Sequence, residues 1–284
     1  MKRNHPADAR AVVVTGAASG IGRALARHLA ERGCPIALAD KDEAGLAETA
    51  HALPTPTLVE VVDVRDAGQM HDFASKVRAW APRDLWACFN NAGVAVNNTV
   101  ASGDPADDQW LHDINFHGVV NGTRAFLPHL LEQGSGAVVN TSSVYGLLGV
   151  PLHSAYCASK FAVRGFTEAL HQELIGTGVR AVTVHPGGVK TSIAHNARVS
   201  PDALTDGETS QERARAFDAA AITTPERAAR TIVRAVERGR SRVLVGPDAV
   251  LIDALARVTP THAAGLVGRL EKRLSGSTTS AVGA

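Results

Sequence analysis

Ala11-Val12-Val13-Val14-Thr15-Gly16-Ala17-Ala18-Ser19-Gly20-Ile21-Gly22 is the stretch on which the fold turns. Its apolar run over 11–14 reads as a buried strand, its glycines as a turn, and the periodic pattern of 23–32 as a helix. Strand, glycine turn and helix in that order build a phosphate-binding unit. Without Cβ atoms the backbone N–H groups can approach a pyrophosphate, and the helix N-terminus adds partial positive charge without a charged side chain. The spacing is Gly-x-x-x-Gly-x-Gly, which differs from the commoner Gly-x-Gly-x-x-Gly fingerprint.

Working outward, a second apolar strand over 36–39 ends on Asp40, about 20 residues past the glycines, where an acidic side chain can accept hydrogen bonds from an adenosine ribose. A carboxylate there also repels the additional phosphate of NADP, which favours NAD; Lys41 beside it reads as a solvated charge. Short apolar strands follow at 58–62, 85–89, 137–141, 181–184 and 243–245, alternating with helical segments. Such alternation predicts an α/β fold: a doubly wound, Rossmann-like parallel sheet between two helical layers, forming a single domain over 11–246. Ligands of these sheets bind beyond the carboxyl ends of the strands.

Tyr156 and Lys160, in Tyr-Cys-Ala-Ser-Lys, are four residues apart, which stacks an ammonium beside a phenol on one face of a helix predicted over 156–175. A phenol left alone ionises near pH 10, so a fixed cation is the simplest way to make it an acid or base near neutrality. A pKa lowered by about 2 to 3, at about 1.4 kcal/mol per unit, is within reach of a partly buried site.

With these segments in place, the chain resembles the short-chain dehydrogenase/reductase family over residues 11–246. Residues 15–22 match its glycine motif, which implies cofactor contacts at Gly16, Ser19, Gly20, Ile21 and Gly22. Asp40 implies the ribose contact, and Asp63-Val64 is similar to the family's adenine-contacting pair. Asn90-Asn91-Ala92-Gly93 is similar to the signature that ends the fourth strand, adding Asn90, Ala92 and Gly93 to the cofactor set. Pro186-Gly187-Gly188-Val189-Lys190-Thr191 resembles the Pro-Gly segment after the sixth strand, adding Pro186, Gly187, Val189 and Thr191. There the Val189 backbone and the Thr191 hydroxyl would hold the nicotinamide carboxamide. Many NADP-using relatives carry a basic residue where this chain has Ser19, which again leans toward NAD.

The resemblance also implies a catalytic set of Asn115, Ser143, Tyr156 and Lys160. Ser142 and Ser143 are adjacent and point to opposite faces of their strand, so only one can meet Tyr156. The offset of 13 positions from Ser143 to Tyr156 matches the family's usual separation and selects Ser143, leaving Ser142 as a packed or hydrogen-bonded neighbour. The implied activity is NAD-dependent interconversion of a secondary alcohol and a ketone. Tyr156 would exchange the proton with the substrate oxygen, while Lys160 would lower its pKa and bind the nicotinamide ribose, both residues thus touching the cofactor. Ser143 would donate to the same oxygen, and Asn115 would hold a water linking Lys160 to solvent. Tyr145, Leu147, Leu148 and Val150 predict a largely apolar substrate pocket with few charges, into which His153 also reaches. A hydrophobic alcohol or ketone fits such a pocket better than a phosphorylated sugar. Two alternatives stand beside this reading: a dinucleotide-sensing regulator without turnover, and a peripheral membrane enzyme acting on lipid alcohols.

Bulk properties agree with an enzyme of one domain. Formal net charge is +1 with both signs interspersed, which leaves no electrostatic footprint for nucleic acid. Cys34, Cys88 and Cys157 are three, widely separated, and fit a reducing compartment better than a disulfide framework. No stretch has the core of a signal peptide or the roughly 20 apolar residues of a spanning helix, so a cytoplasmic protein with no membrane contact is expected. The histidines form no metal site: His112 and His117 diverge, and Glu168 with His171 lacks further ligands. Helices predicted over 107–131 and 156–175 carry apolar residues on more than one side, including Phe161, Val163, Phe166, Leu170 and Leu174. Buried twice, they imply a homodimer or homotetramer, as in the family.

At the periphery, residues 1–10 read as a polar arm. The polar, alanine-rich segment 192–224 lacks strong periodicity and reads as a substrate lid; Thr224-Pro225-Glu226 then starts a helix. Residues 247–274 read as a C-terminal helical extension, interrupted at Pro260, that packs on the domain, covers the cleft or extends a subunit contact. Residues 275–284 read as a flexible tail.

Overall fold

The computed structural model describes residues 10–81, 84–204, 207–259, 261–263 and 265. The expectations for the arm up to residue 9, for Pro260 and for 266–284 therefore lie outside the described residues. Nine strands and nine helices follow along the described chain: β1 Ala11–Thr15, α1 Gly20–Ala30, β2 Ile36–Asp40, α2 Glu43–His51, β3 Thr57–Val61, α3 Ala67–Trp80, β4 Leu85–Asn90, β5 Val96–Asn97, α4 Pro105–His112, α5 Gly118–Gln133, β6 Gly136–Thr141, α6 Ser154–Glu173, β7 Val179–Pro186, β8 Arg198–Val199, α7 Ser210–Ala220, α8 Pro225–Glu237, β9 Arg242–Val245 and α9 Pro247–Val258.

Seven strands form one parallel sheet in the order β3-β2-β1-β4-β6-β7-β9. The alternation of strand side chains divides the core in two. Val12 and Val14 pack with α1 and α8 on one face, while Ala11 and Val13 pack with Met70, Phe73, Phe126 and Leu170 on the other. Both faces are covered, which is why the strands are apolar at nearly every position rather than at alternate ones. Chain order reverses between β1 and β4, and a crevice opens there at the carboxyl ends, as expected for a doubly wound sheet.

Two departures from the expected elements bear on the site. The helix expected over 107–131 is broken: Asp113–His117 form a π-turn between α4 and α5, carrying Asn115 inward. The segment 192–224 is not irregular throughout, because it contains β8 and α7. A capping box fixes the start of α7, with the Thr209 hydroxyl accepting from Glu212 N and the Glu212 carboxylate from Thr209 N. The Thr-x-x-Glu pattern was present in the sequence and is the signal that could have found this helix.

Candidate active site

A crevice of ≈ 1540 Å³ runs along the carboxyl edge of the sheet. Its first wall is the turn between β1 and α1. Gly16 has φ +66°, and a Cβ there would stand 2.7 Å from Ala92 Cα; at Gly22 it would run into Gly16 O. Neither position admits a side chain, so the turn closes tightly and leaves bare backbone on the crevice. The Thr15 hydroxyl holds the opposite lip, accepting from Asn91 N at 3.0 Å and Ala92 N at 3.2 Å. Ser19 is exposed at the N-cap of α1, and Gly20 faces Thr191, whose Cγ2 would lie 3.1 Å from an added Cβ.

Asp40 ends β2 at the rim, where its carboxylate accepts from Ala18 N at 3.0 Å and Asp42 N at 3.1 Å. Asp63 and Val64 also line the crevice; Arg65 grips the Asp63 carboxylate through Nε and Nη2 and holds its pKa below the usual carboxylate range. Ala92, Gly93, Pro186, Gly187, Val189 and Thr191 are lining residues as well. Asn90 is different: it is buried, donates to Thr123 Oγ1 and Asn140 Oδ1, and does not reach the crevice. Its side chain points into the core between β4 and β6, which corrects its assignment to the cofactor set.

The residues expected to move protons converge at the ends of β4 and β6 and on the first two turns of α6. Ser143 is extended, and its Oγ accepts from Tyr145 N at 3.1 Å, which leaves the hydroxyl hydrogen to donate elsewhere. Tyr156 is hydrogen-bonded to Ser143. Lys160 is buried, with Nζ 5.6 Å from the Tyr156 ring centroid and donating to Thr141 O at 3.1 Å. Asn115 Oδ1 accepts from Val94 N at 2.8 Å, and Nδ2 donates to Val94 O at 3.0 Å and Ser159 Oγ at 3.3 Å. Ser142 turns away and donates to Lys160 O at 2.7 Å.

Electrostatically the site differs from the expectation. Burial pushes the Tyr156 phenol up to about 12, with the Ser143 hydrogen bond acting in the lowering direction, and burial brings Lys160 down to about 8. The ammonium sits over the ring and is bonded to a carbonyl rather than to the phenol oxygen, so desolvation outweighs its attraction. Burial thus favours a protonated phenol and disfavours the ammonium beside it.

The pocket lining needs a second correction. Tyr145 faces the crevice, but Leu148 and Val150 pack with Cys157 in a small cluster behind it, and Leu147 is buried outside the lining. Leu152 and His153 take those places, together with Leu251, Ile252 and Leu255 of α9. The lining is also less free of charge than expected, since Asp202, Glu208 and Arg213 of the 192–224 segment belong to it. Among the described residues, no group of three or more His, Cys, Asp or Glu could hold a metal, and no helix is long and apolar enough to cross a membrane.

A glycine-floored crevice at the switch point of a doubly wound sheet, with Ser, Tyr and Lys together at its centre, defines a Rossmann-type nucleotide-dependent enzyme. Residues 10–202 match the short chain dehydrogenase family, and the chain belongs to it and is one of its oxidoreductases. SadH of Mycobacterium tuberculosis is 45% identical over 257 residues, covering 88% of this chain and 91% of that protein. The ketoacyl reductase HetN of Nostoc is 31% identical, over 89% and 86%. A short chain dehydrogenase/reductase of Burkholderia phymatum, solved in complex with NAD, superposes with a TM-score of 0.79 at 27% identity, covering 99% of this chain and 100% of that one.

Proposed function

We propose that the protein interconverts a secondary alcohol and a ketone on an apolar substrate, using NAD. The observation that carries this reading is the joint position of Ser143, Tyr156 and Lys160 against a crevice whose floor is bare glycine backbone. The residues fit a dinucleotide: side chains at Gly16 or Gly20 would crowd the floor, and ≈ 1540 Å³ exceeds the roughly 300–1,000 Å³ of a single small-molecule pocket. The NAD in the Burkholderia phymatum relative supports the same fit. When bound, the nicotinamide accepts or supplies hydride.

The remaining work belongs to the chain. Tyr156 holds its proton at neutral pH and gives it to a carbonyl oxygen in reduction; in oxidation it first releases that proton, and the phenolate then takes the one from the alcohol. The Ser143 hydroxyl, with its oxygen already occupied by Tyr145 N, donates to the same oxygen as charge develops. Lys160 binds the nicotinamide ribose. A Cβ on Gly93 would stand 3.2 Å from Asn115 Oδ1 and 3.5 Å from Lys160 Nζ, so both polar atoms close on the Gly93 backbone from nearby positions. A water bridging them would join Asn115 to Lys160. The Asp40 carboxylate at the rim, with no basic group at Ser19, supports NAD over NADP.

Segment 192–224 acts as the lid and α9 as a second wall. Phe161, 41% exposed on α6, supports association of copies through that helix. Purified protein assayed with NAD and NADP against a panel of apolar secondary alcohols should produce reduced nicotinamide, faster with NAD, and Tyr156→Phe should lower the rate by about 10²-fold or more. Tight NAD binding without turnover across the panel would instead favour the dinucleotide sensor.

A further inference from the structure

His153 stands outside the proton-transfer set yet shares its crevice. It follows Leu152, whose φ of +66° is a left-handed conformation that leucine rarely adopts. Asn98 N bonds Leu152 O at 3.0 Å and holds this turn in place. The turn brings His153 to the lining. Its Nδ1 lies 2.9 Å from Pro151 O, and a carbonyl only accepts, so Nδ1 carries the hydrogen. Burial favours the neutral ring, in which Nε2 is then a bare acceptor. Among the described residues Nε2 has no hydrogen-bond partner, and it is not among the polar atoms sealed from solvent.

The ring meets Tyr145 edge-on at 5.2 Å between centroids, and Tyr145 meets Tyr156 edge-on at 6.0 Å. Three rings thus make one continuous wall from the proton donor to an acceptor with no protein partner. An acceptor that faces the crevice with no protein partner is satisfied by water until a ligand displaces it, and then discriminates against ligands that cannot bond it. Arg213, the charged group that acts on His153 across the crevice, spends its Nη2 on Ala203 O at 2.6 Å and Glu208 Oε2 at 3.2 Å and makes no bond to the ring.

We propose that His153 Nε2 is a specificity-determining acceptor for a second hydroxyl on the substrate, so that the site selects diols and hydroxy ketones, whose polar groups are separated by the span of the tyrosine wall. The inference rests on the alcohol and ketone reading for the location of the reacting carbon. Decalin diols and the matching decalols are the probes. In protein labelled with ¹⁵N-histidine, the His153 Nε2 resonance, assigned by its loss in His153→Phe, should report an unprotonated nitrogen and should move on titration with a diol but not with a decalol.

In turnover, the kcat/KM ratio of diol to decalol should be about tenfold in the wild type. It should fall to about one in His153→Phe and recover in part in His153→Gln, whose amide oxygen accepts. His153 makes no side-chain cap bond to α6, so the first variant removes no cap. A protonated Nε2, a resonance that no diol moves, or a ratio unchanged in His153→Phe overturns the proposal. A diol-dependent resonance without any turnover supports His153 while rejecting the alcohol and ketone reading of the site; turnover without discrimination does the reverse.

Discussion

Tyr156 and Lys160 show how a spacing legible in sequence can leave its energetics unread. Four residues on a helix predict adjacency, and adjacency is found; what the spacing cannot convey is that Thr141 O claims the ammonium and that both groups are desolvated. Tyr156→Phe removes only the exchangeable proton, so turnover should fall by about 10²- to 10⁴-fold while dinucleotide affinity measured by calorimetry stays near wild type. For Lys160 the sign follows from its pKa of about 8 against an ordinary 10.5. Between those values the unfolded chain binds a proton that the folded chain does not. Stability is therefore penalised in full below pH 8 and recovers as pH rises toward about 10. Lys160→Met should be inactive yet more stable than wild type at pH 7 in urea denaturation, with the gap closing between pH 8 and 10. A gap that does not vary with pH would show that burial of the charge is not its source.

At the scale of elements, the strands were the most legible, because sheets covered on both faces write uninterrupted apolar runs. The turn after β1 was legible for a related reason, since glycine there answers a steric demand. Gly16→Ala must hold a left-handed backbone, at roughly 1–2 kcal/mol, and also displace Ala92 from 2.7 Å. Urea unfolding should register a loss of about 2 kcal/mol or more, accompanied by weaker dinucleotide binding. The π-turn at Asp113–His117 was not legible, because one extra residue in a helical turn leaves the apolar pattern on both sides nearly intact. Likewise Leu147, Leu148 and Val150 were assigned to the pocket on hydropathy alone. Which apolar side chains face a cavity and which back it depends on the short turn at Val144–Gly146 and on the left-handed Leu152, neither of which has a composition signature.

Across the whole molecule, the segment proposed as a lid is fastened at its base rather than hanging free. Strand β8 pairs with β5, Asp202 accepts from Thr99 at 2.6 Å and from Ser102, and Arg198 bonds Asp107 at 2.6 Å while its guanidinium lies 3.7 Å from the Trp110 ring centroid. The Arg198 pair is partly exposed, so the ion pair contributes at most about 1 kcal/mol and the cation–π contact about 0.5–1. Those amounts are small beside global stability but comparable to a lid equilibrium. Arg198→Ala should therefore shift Tm by no more than about 4 °C, raise KM severalfold and leave kcat less affected. An unchanged KM would detach this contact from substrate retention. The far wall is braced in a similar way, with Arg242 gripping Asp253 of α9 through both nitrogens, at 2.9 and 2.6 Å. The sequence flagged α9 by its helical spacing but could not say that its apolar side borders the crevice.

The stacking of Arg198 on Trp110 has an optical corollary. Trp110 also borders the crevice, whereas Trp86 is wholly enclosed in the core and contributes a constant background. Indole emission changes with the charge and polarity beside it, so the difference spectrum between wild type and Trp110→Phe becomes a built-in gauge of whether the guanidinium is on or off the ring. Stopped-flow recordings of that signal would time the opening of the crevice without any attached dye.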